Sequence, residues 1–248
     1  TQVVFTPSNW AAPQTVAVAG QNDDVADGNQ PFQIDFSPAT STDPGYAGRT
    51  PPSVDVTTLD DETAGFIVSN IDRNTNETGE QGEFTLRLTS EPTQAVTVHF
   101  SSNDVTEGAT TATSLTFTSA NWNAPQVVIV TGVNDNVADG DQPYAIDFTA
   151  TTSSDANYAG LIPSSVAVVN VDNDTAGISV SVMSGDTHED GTQATFAVVL
   201  NSEPLANVVV KFATDDATEG TTAANSITFT AANWNAVQFV TVTGQNDD

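Results

Sequence analysis

Between residues 83 and 150 apolar and polar side chains alternate over three short runs. Phe84, Leu86 and Leu88 flank Thr85 and Arg87; Val96, Val98 and Phe100 flank Thr97 and His99; Tyr144, Ile146 and Phe148 flank Ala145 and Asp147. A period of two places each apolar set on one face of a strand, which predicts strands at 83–89, 95–101 and 143–150 with one face buried. Four more runs rich in β-branched and aromatic residues, at 65–71, 114–118, 126–131 and 164–171, are bounded by turn-forming residues and read as strands too. The run at 126–131 is apolar on both faces, which fits deep burial or a place at a joint. No stretch carries a convincing 3.6-residue period. Seven strands in about 110 residues predict an all-β, immunoglobulin-like antiparallel β-sandwich.

The pattern returns at an interval of 112 residues. Trp10, Trp122 and Trp234 stand in NWAAPQ, NWNAPQ and NWNAVQ, and Gly20, Gly132 and Gly244 follow at one offset. On that register residues 64–175 form one complete repeat. Residues 1–63 correspond to the last four strands of a repeat and residues 176–248 to the first five, so the chain reads as a window on a longer array. Gapless copies on this scale predict tandem sandwiches arranged end to end, each with enough chain for its own core.

Charge narrows the partners. Four basic residues face 32 acidic ones, for a net charge of −28, which argues against nucleic acid or an anionic membrane surface. No apolar stretch is long enough to span a bilayer. There is no Cys, the two histidines do not recur with the repeat, and neither G-x-S-x-G nor H-E-x-x-H occurs, so no enzyme is expected.

The acids sort by loop. If strands alternate in direction, the first, third and fifth connections and the exit from the seventh strand share one pole. They carry Glu77; Asp104 and Glu107; Asp135, Asp139 and Asp141; and Asp172 and Asp174, whereas the opposite loops carry only Glu91 and Asp155. Eight carboxylates ~8 Å apart repel by about 10 kcal/mol before screening, comparable with the ~5–15 kcal/mol stability of a domain. Hard oxygen donors without Cys or clustered His suit calcium (Ca2+), with two or three ions per pole. The competing readings are solvated turn residues and a hydrated surface adapted to high salt; 23 Asp against 9 Glu disfavours the latter. Residues 135–140 are not an EF-hand, because Ile146 stands where the bidentate Glu belongs.

A strand ending in VTVHFSSND, then TSLTFTSANWNAPQVVIVTGVNDNVADGDQPYAIDF, then a terminal VDNDT, resembles the Calx-beta module, above all the Calx-beta-like tandem repeats of bacterial adhesins. The resemblance implies calcium held by an acid in the first connection, an acid after the third strand, the fifth connection and the terminal acid run. Those roles fall on Glu77 and Glu189; Asp104 and Asp216; Asp135 and Asp139, with Asp23, Asp24 and Asp27; and Asp172 and Asp174, with Asp60 and Asp61. The turn before the fifth strand departs from the family, with Asn-Trp where Gly-Glu is usual.

The recurring Trp fits either a joint residue or a cap on the local core. Tyr46 and Tyr158 are expected to anchor the sixth connection by packing and a hydroxyl bond. Together these readings predict a segment of a large extracellular or cell-surface protein, a calcium-stiffened stalk or filament in adhesion. Its expected partners are neighbouring repeats of the same protein and, in a filament, other copies; the adhesion ligand is not identified. The alternative is a self-assembling extracellular filament or sheath subunit, in which residues 176–248 of one chain and 1–63 of the next complement each other's strands.

Overall fold

The computed structural model describes residues 2–246, and among these all regular structure is β. The first part of the chain contributes β1 (Gln30–Ile34) and β2 (Val54–Thr58), an antiparallel pair. Residues 64–175 contain β3 (Phe66–Val68), β4 (Thr75–Asn76), β5 (Gln81–Leu88), β6 (Val96–Ser102), β7 (Gly108–Thr110), β8 (Ser114–Phe117), β9 (Gln126–Gly132), β10 (Gln142–Phe148), β11 (Thr152–Ser153) and β12 (Val166–Val171). They make two sheets. One runs β3-β5-β9-β7; in the other β6 lies between β8 and β10, followed by β12 and β4. Every pairing is antiparallel except β12 with β4.

The sheets form a sandwich because the alternating runs face each other. Phe84, Leu86 and Leu88 of β5 and Val128 and Val130 of β9 meet Val96, Val98 and Phe100 of β6, Tyr144, Ile146 and Phe148 of β10, and Val166 and Val168 of β12, all buried. The rings of Phe84, Phe100 and Phe148 pack edge-on or tilted at 5.8–6.4 Å, the arrangement their quadrupoles favour.

Each of the seven predicted runs contains a strand, with two corrections. The first run stops at Val68, because Ser69 Oγ and Asp72 Oδ1 take over the bonds from Thr85 N (2.9 Å) and Glu83 N (2.6 Å) that a ladder carbonyl would accept. The chain then crosses to the other sheet as β4, a strand the pattern did not predict; β7 and β11 are likewise additional. The run at 126–131 is buried on one face only, since β7 and β5 flank β9 in a single sheet and Val127 stays 51% exposed. Trp122 and Trp234 each pack on a local core and accept a backbone bond, from Leu88 N and Leu200 N, so they act as core caps. Tyr158 is 1% exposed, and its hydroxyl meets the N, Oγ and O of Ser90, as expected of an anchor. Tyr46, at the equivalent position, is exposed.

The last part of the chain holds β13 (Ile178–Val180), β14 (Gln193–Leu200), β15 (Val208–Lys211), β16 (Gly220–Thr222), β17 (Ser226–Phe229) and β18 (Gln238–Gly244). Its sheet β13-β14-β18-β16 repeats β3-β5-β9-β7 one period later. The β1–β2 register, Gln30 opposite Thr58, likewise repeats that of β10 and β12, Gln142 opposite Asn170. Residues 14–20, equivalent to β9, form no strand; the described residues hold no earlier β5 for them to pair with.

Candidate metal centre

The acidic pole is built where β4, β9 and β12 end together. A Cβ on Gly132 would collide with Asn76 O and Asn170 Oδ1, so only glycine lets the three strand ends approach this closely. Beyond it the loop 133–141 folds over its own side chains. Asp135 Oδ1 accepts from Val137 N (2.7 Å), Val137 O from Asp139 N (3.0 Å), and Gly140 turns the chain with φ +80. Asp172, at the end of β12, clasps the loop: Oδ2 accepts from Gly140 N (2.7 Å) and Oδ1 from Asp174 N (2.7 Å).

These turns bring two groups of carboxylates together. Glu77, Asp135 and Asp174 form one, Glu107, Asp135 and Asp139 the other, and within each group one oxygen per residue lies within 4.8 Å of the others. Glu77 follows β4 and is 5% exposed; Glu107 precedes β7 and is 9% exposed. Each accepts a single long hydrogen bond, from Asn173 N and Asn170 Nδ2, both at 3.3 Å. Among the described residues the ion pairs are those of Arg73 with Asp72 and Glu80, so no basic side chain neutralises either group. Burial raises the pKa of Glu77, and the charges of Asp135, Asp172 and Asp174 add to it. Glu107 is raised by burial, then by Asp139, Asp104 and Asp135; Asp174 by burial, then by Asp172 and Asp135.

Two buried carboxylates with one weak donor each, and no counter-ion, form a costly arrangement that a cation would relieve. The geometry fits calcium. Oxygens 2.3–2.6 Å from a central ion lie up to roughly 5 Å apart across it, and carbonyls and water complete a shell of 6–8. Three carboxylates per group, with Asp135 shared, match hard oxygen coordination and leave no soft donor.

The other predicted ligands are placed differently. Asp104 is exposed, and its Oδ1 is engaged by Thr106 N (3.0 Å) and Thr106 Oγ1 (2.5 Å), which hold its pKa low; Asp216 repeats this with Thr218. Both oxygens of Asp172 are bound to backbone, and Asp60 repeats that clasp on Gly28 N (2.5 Å) and Glu62 N (3.0 Å). Asp23 braces Val25 N as Asp135 braces Val137 N. Asp23, Asp27, Asp60 and Asp61 line a cleft of about 320 Å³, and Asp24 is exposed nearby. Glu189 is exposed, and the counterpart of Asp135 in its repeat, Asp247, lies outside the described residues. Glu107 is the member that the ligand set drawn from resemblance omitted. Its signal was available: it sits at the acidic pole by loop order and returns as Glu219.

No protein-family model matches the chain, and no curated protein matches it. Among solved structures, the crystal structure of CBD12 from CALX1.2 overlaps 72% of this chain and 75% of its own at 13% identity, with a TM-score of 0.32. A marsupial T cell receptor overlaps 82% of this chain and 61% of its own at 11% identity, with a TM-score of 0.26. A second overlaps 86% and 63% at 10% identity, also with a TM-score of 0.26. The fold assignment rests on the strand pairings themselves.

Proposed function

We propose that this chain is a run of calcium-binding structural repeats from a large extracellular surface protein, serving as a calcium-stiffened stalk or filament in adhesion. The observation that carries the reading is the pair of carboxylate groups sharing Asp135, with Glu77 and Glu107 buried and unneutralised. Asp174 belongs to the segment between β12 and β13, so an ion held by Glu77, Asp135 and Asp174 ties the inter-repeat linker to the sandwich behind it. Without the ion, like charge drives the same segment away. Calcium therefore removes hinge freedom that a short linker otherwise keeps.

Small-angle scattering from several whole repeats tests this. A narrow, elongated particle in calcium and a broader spread of bend angles in chelator are expected. An unchanged profile, with calcium occupancy confirmed by titration, removes the stalk reading and leaves the ions a local role.

A further inference from the structure

Both joints between consecutive repeats carry the same peptide hydrogen bond, one period apart. Glu91 N donates to Asp24 O at 2.6 Å, and Glu203 N donates to Asn136 O at 2.6 Å. Glu91 and Glu203 are the central residues of Ser-Glu-Pro turns at 90–92 and 202–204, while Asp24 and Asn136 occupy equivalent places in the acidic loop of the preceding repeat. The acceptor is Asp at one joint and Asn at the other, so the backbone carbonyl is what is gripped. Further contacts reinforce each joint: Asn157 Nδ2 donates to Ala26 O at 2.7 Å, and Val137 forms a parallel bridge with Glu203.

At the first joint the donor's turn is held by contacts within its own repeat, and at both joints the acceptor's loop is held within its own repeat. On the donor side, Ser90 is fully buried and pinned through N, Oγ and O by the Tyr158 hydroxyl, Pro92 is buried, and Asp155 holds Thr93 N at 2.7 Å. Proline after Glu91 and after Glu203 steers those residues away from helical and towards extended backbone. On the acceptor side, the bonds from Val25 N to Asp23 and from Val137 N to Asp135 close the loop around the accepting carbonyl.

We propose that the Ser-Glu-Pro turn is the docking surface of each repeat and that its partner is the acidic-loop main chain of another copy of the repeat. Two backbone groups set the register of the joint, and neither requires a cation. This goes beyond the calcium reading and stands without it: the ions bias how open the joint is, and the turn decides where it closes.

The test uses the 248-residue chain in chelator and again in calcium. Unmodified, the Glu203 amide should exchange with solvent more slowly than an open loop amide, on the order of tenfold, and show a through-bond coupling to the Asn136 carbonyl carbon. Residual dipolar couplings then report the orientation of the last two repeats. Glu203→Pro, which deletes the N–H, should widen the spread of inter-repeat angles in either buffer; Glu203→Ala, which keeps the N–H and removes only the carboxylate, should leave it unchanged. A freely exchanging Glu203 amide without the coupling overturns the proposal, whether or not the proline variant folds. So do equal effects of the two variants. A failed calcium titration leaves all these readouts in place.

Discussion

Asp135→Asn should reverse its effect on stability with the buffer. Without a cation, Asp135 faces four carboxylates, those of Glu77, Asp174, Glu107 and Asp139, each with an oxygen within 4.8 Å. Two unit charges at that distance repel by about 0.9 kcal/mol in water and more where water is excluded, so removing Asp135's charge from four such pairs relieves about 3.5 kcal/mol or more before screening and proton uptake reduce it to about 1–2 kcal/mol. The amide Oδ1 still accepts from Val137 N, so the turn survives. In chelator the variant should therefore melt higher, by about 3–8 °C for a domain of this size. In calcium the order inverts, because an ion at a hundredfold its dissociation constant stabilises by about 2.7 kcal/mol and the variant weakens both groups at once. Calorimetric melts at fixed ionic strength read both numbers. A variant that melts lower by the same amount in both buffers would make Asp135 a turn residue and nothing more.

Other outcomes follow from the same geometry. Glu77, Glu107 and Asp174 are raised above their ordinary values of 4.5 and 3.8, so the stability they contribute is complete below those values and lost as pH rises through the raised ones. The cation-free chain should accordingly melt higher as pH falls from neutral towards 4.5, and in calcium the slope should reverse, since protons then compete with the ion; melts across pH in the two buffers check the sign. Asp155→Ala leaves Thr93 N, Thr93 Oγ1 and Asn157 N without their acceptor, so it should destabilise by about 1–3 kcal/mol while calcium titration shows unchanged affinity. Tyr158→Phe should cost about 1–2 kcal/mol in denaturant unfolding by stranding Ser90. Glu107→Gln should weaken calcium binding in titration and raise the melting temperature in chelator, as Asp135→Asn does.

What could be read before the structure depended on side chains that advertise their surroundings. Strict alternation located β5, β6 and β10 and their core faces, because a half-buried strand has no other way to satisfy water and core together. The run at 126–131 misled for the same reason: Val127 is apolar and exposed, so composition alone could not tell one buried face from two. β4 escaped because two residues, Thr75 and Asn76, carry no period; what fixes them is a buried hydroxyl, Thr75 Oγ1, 2.9 Å from Tyr144 Oη. Loop order gathered the acids, yet it could not separate Asp135, whose carboxylate serves both groups, from Asp172, whose two oxygens are bound to backbone amides. The repeated hydrogen bond at the joint was invisible from sequence, since it runs between main-chain groups that all residues but proline share.

Diffraction from crystals grown in millimolar calcium, with anomalous differences collected, addresses the acidic pole most directly. Two ion peaks are expected in the complete repeat, one about 2.3–2.6 Å from carboxylate oxygens of Glu77, Asp135 and Asp174 and one at the same distance from those of Glu107, Asp135 and Asp139. Water in both places, with Glu77 and Glu107 still buried, would contradict the calcium site and with it the calcium-stiffened stalk.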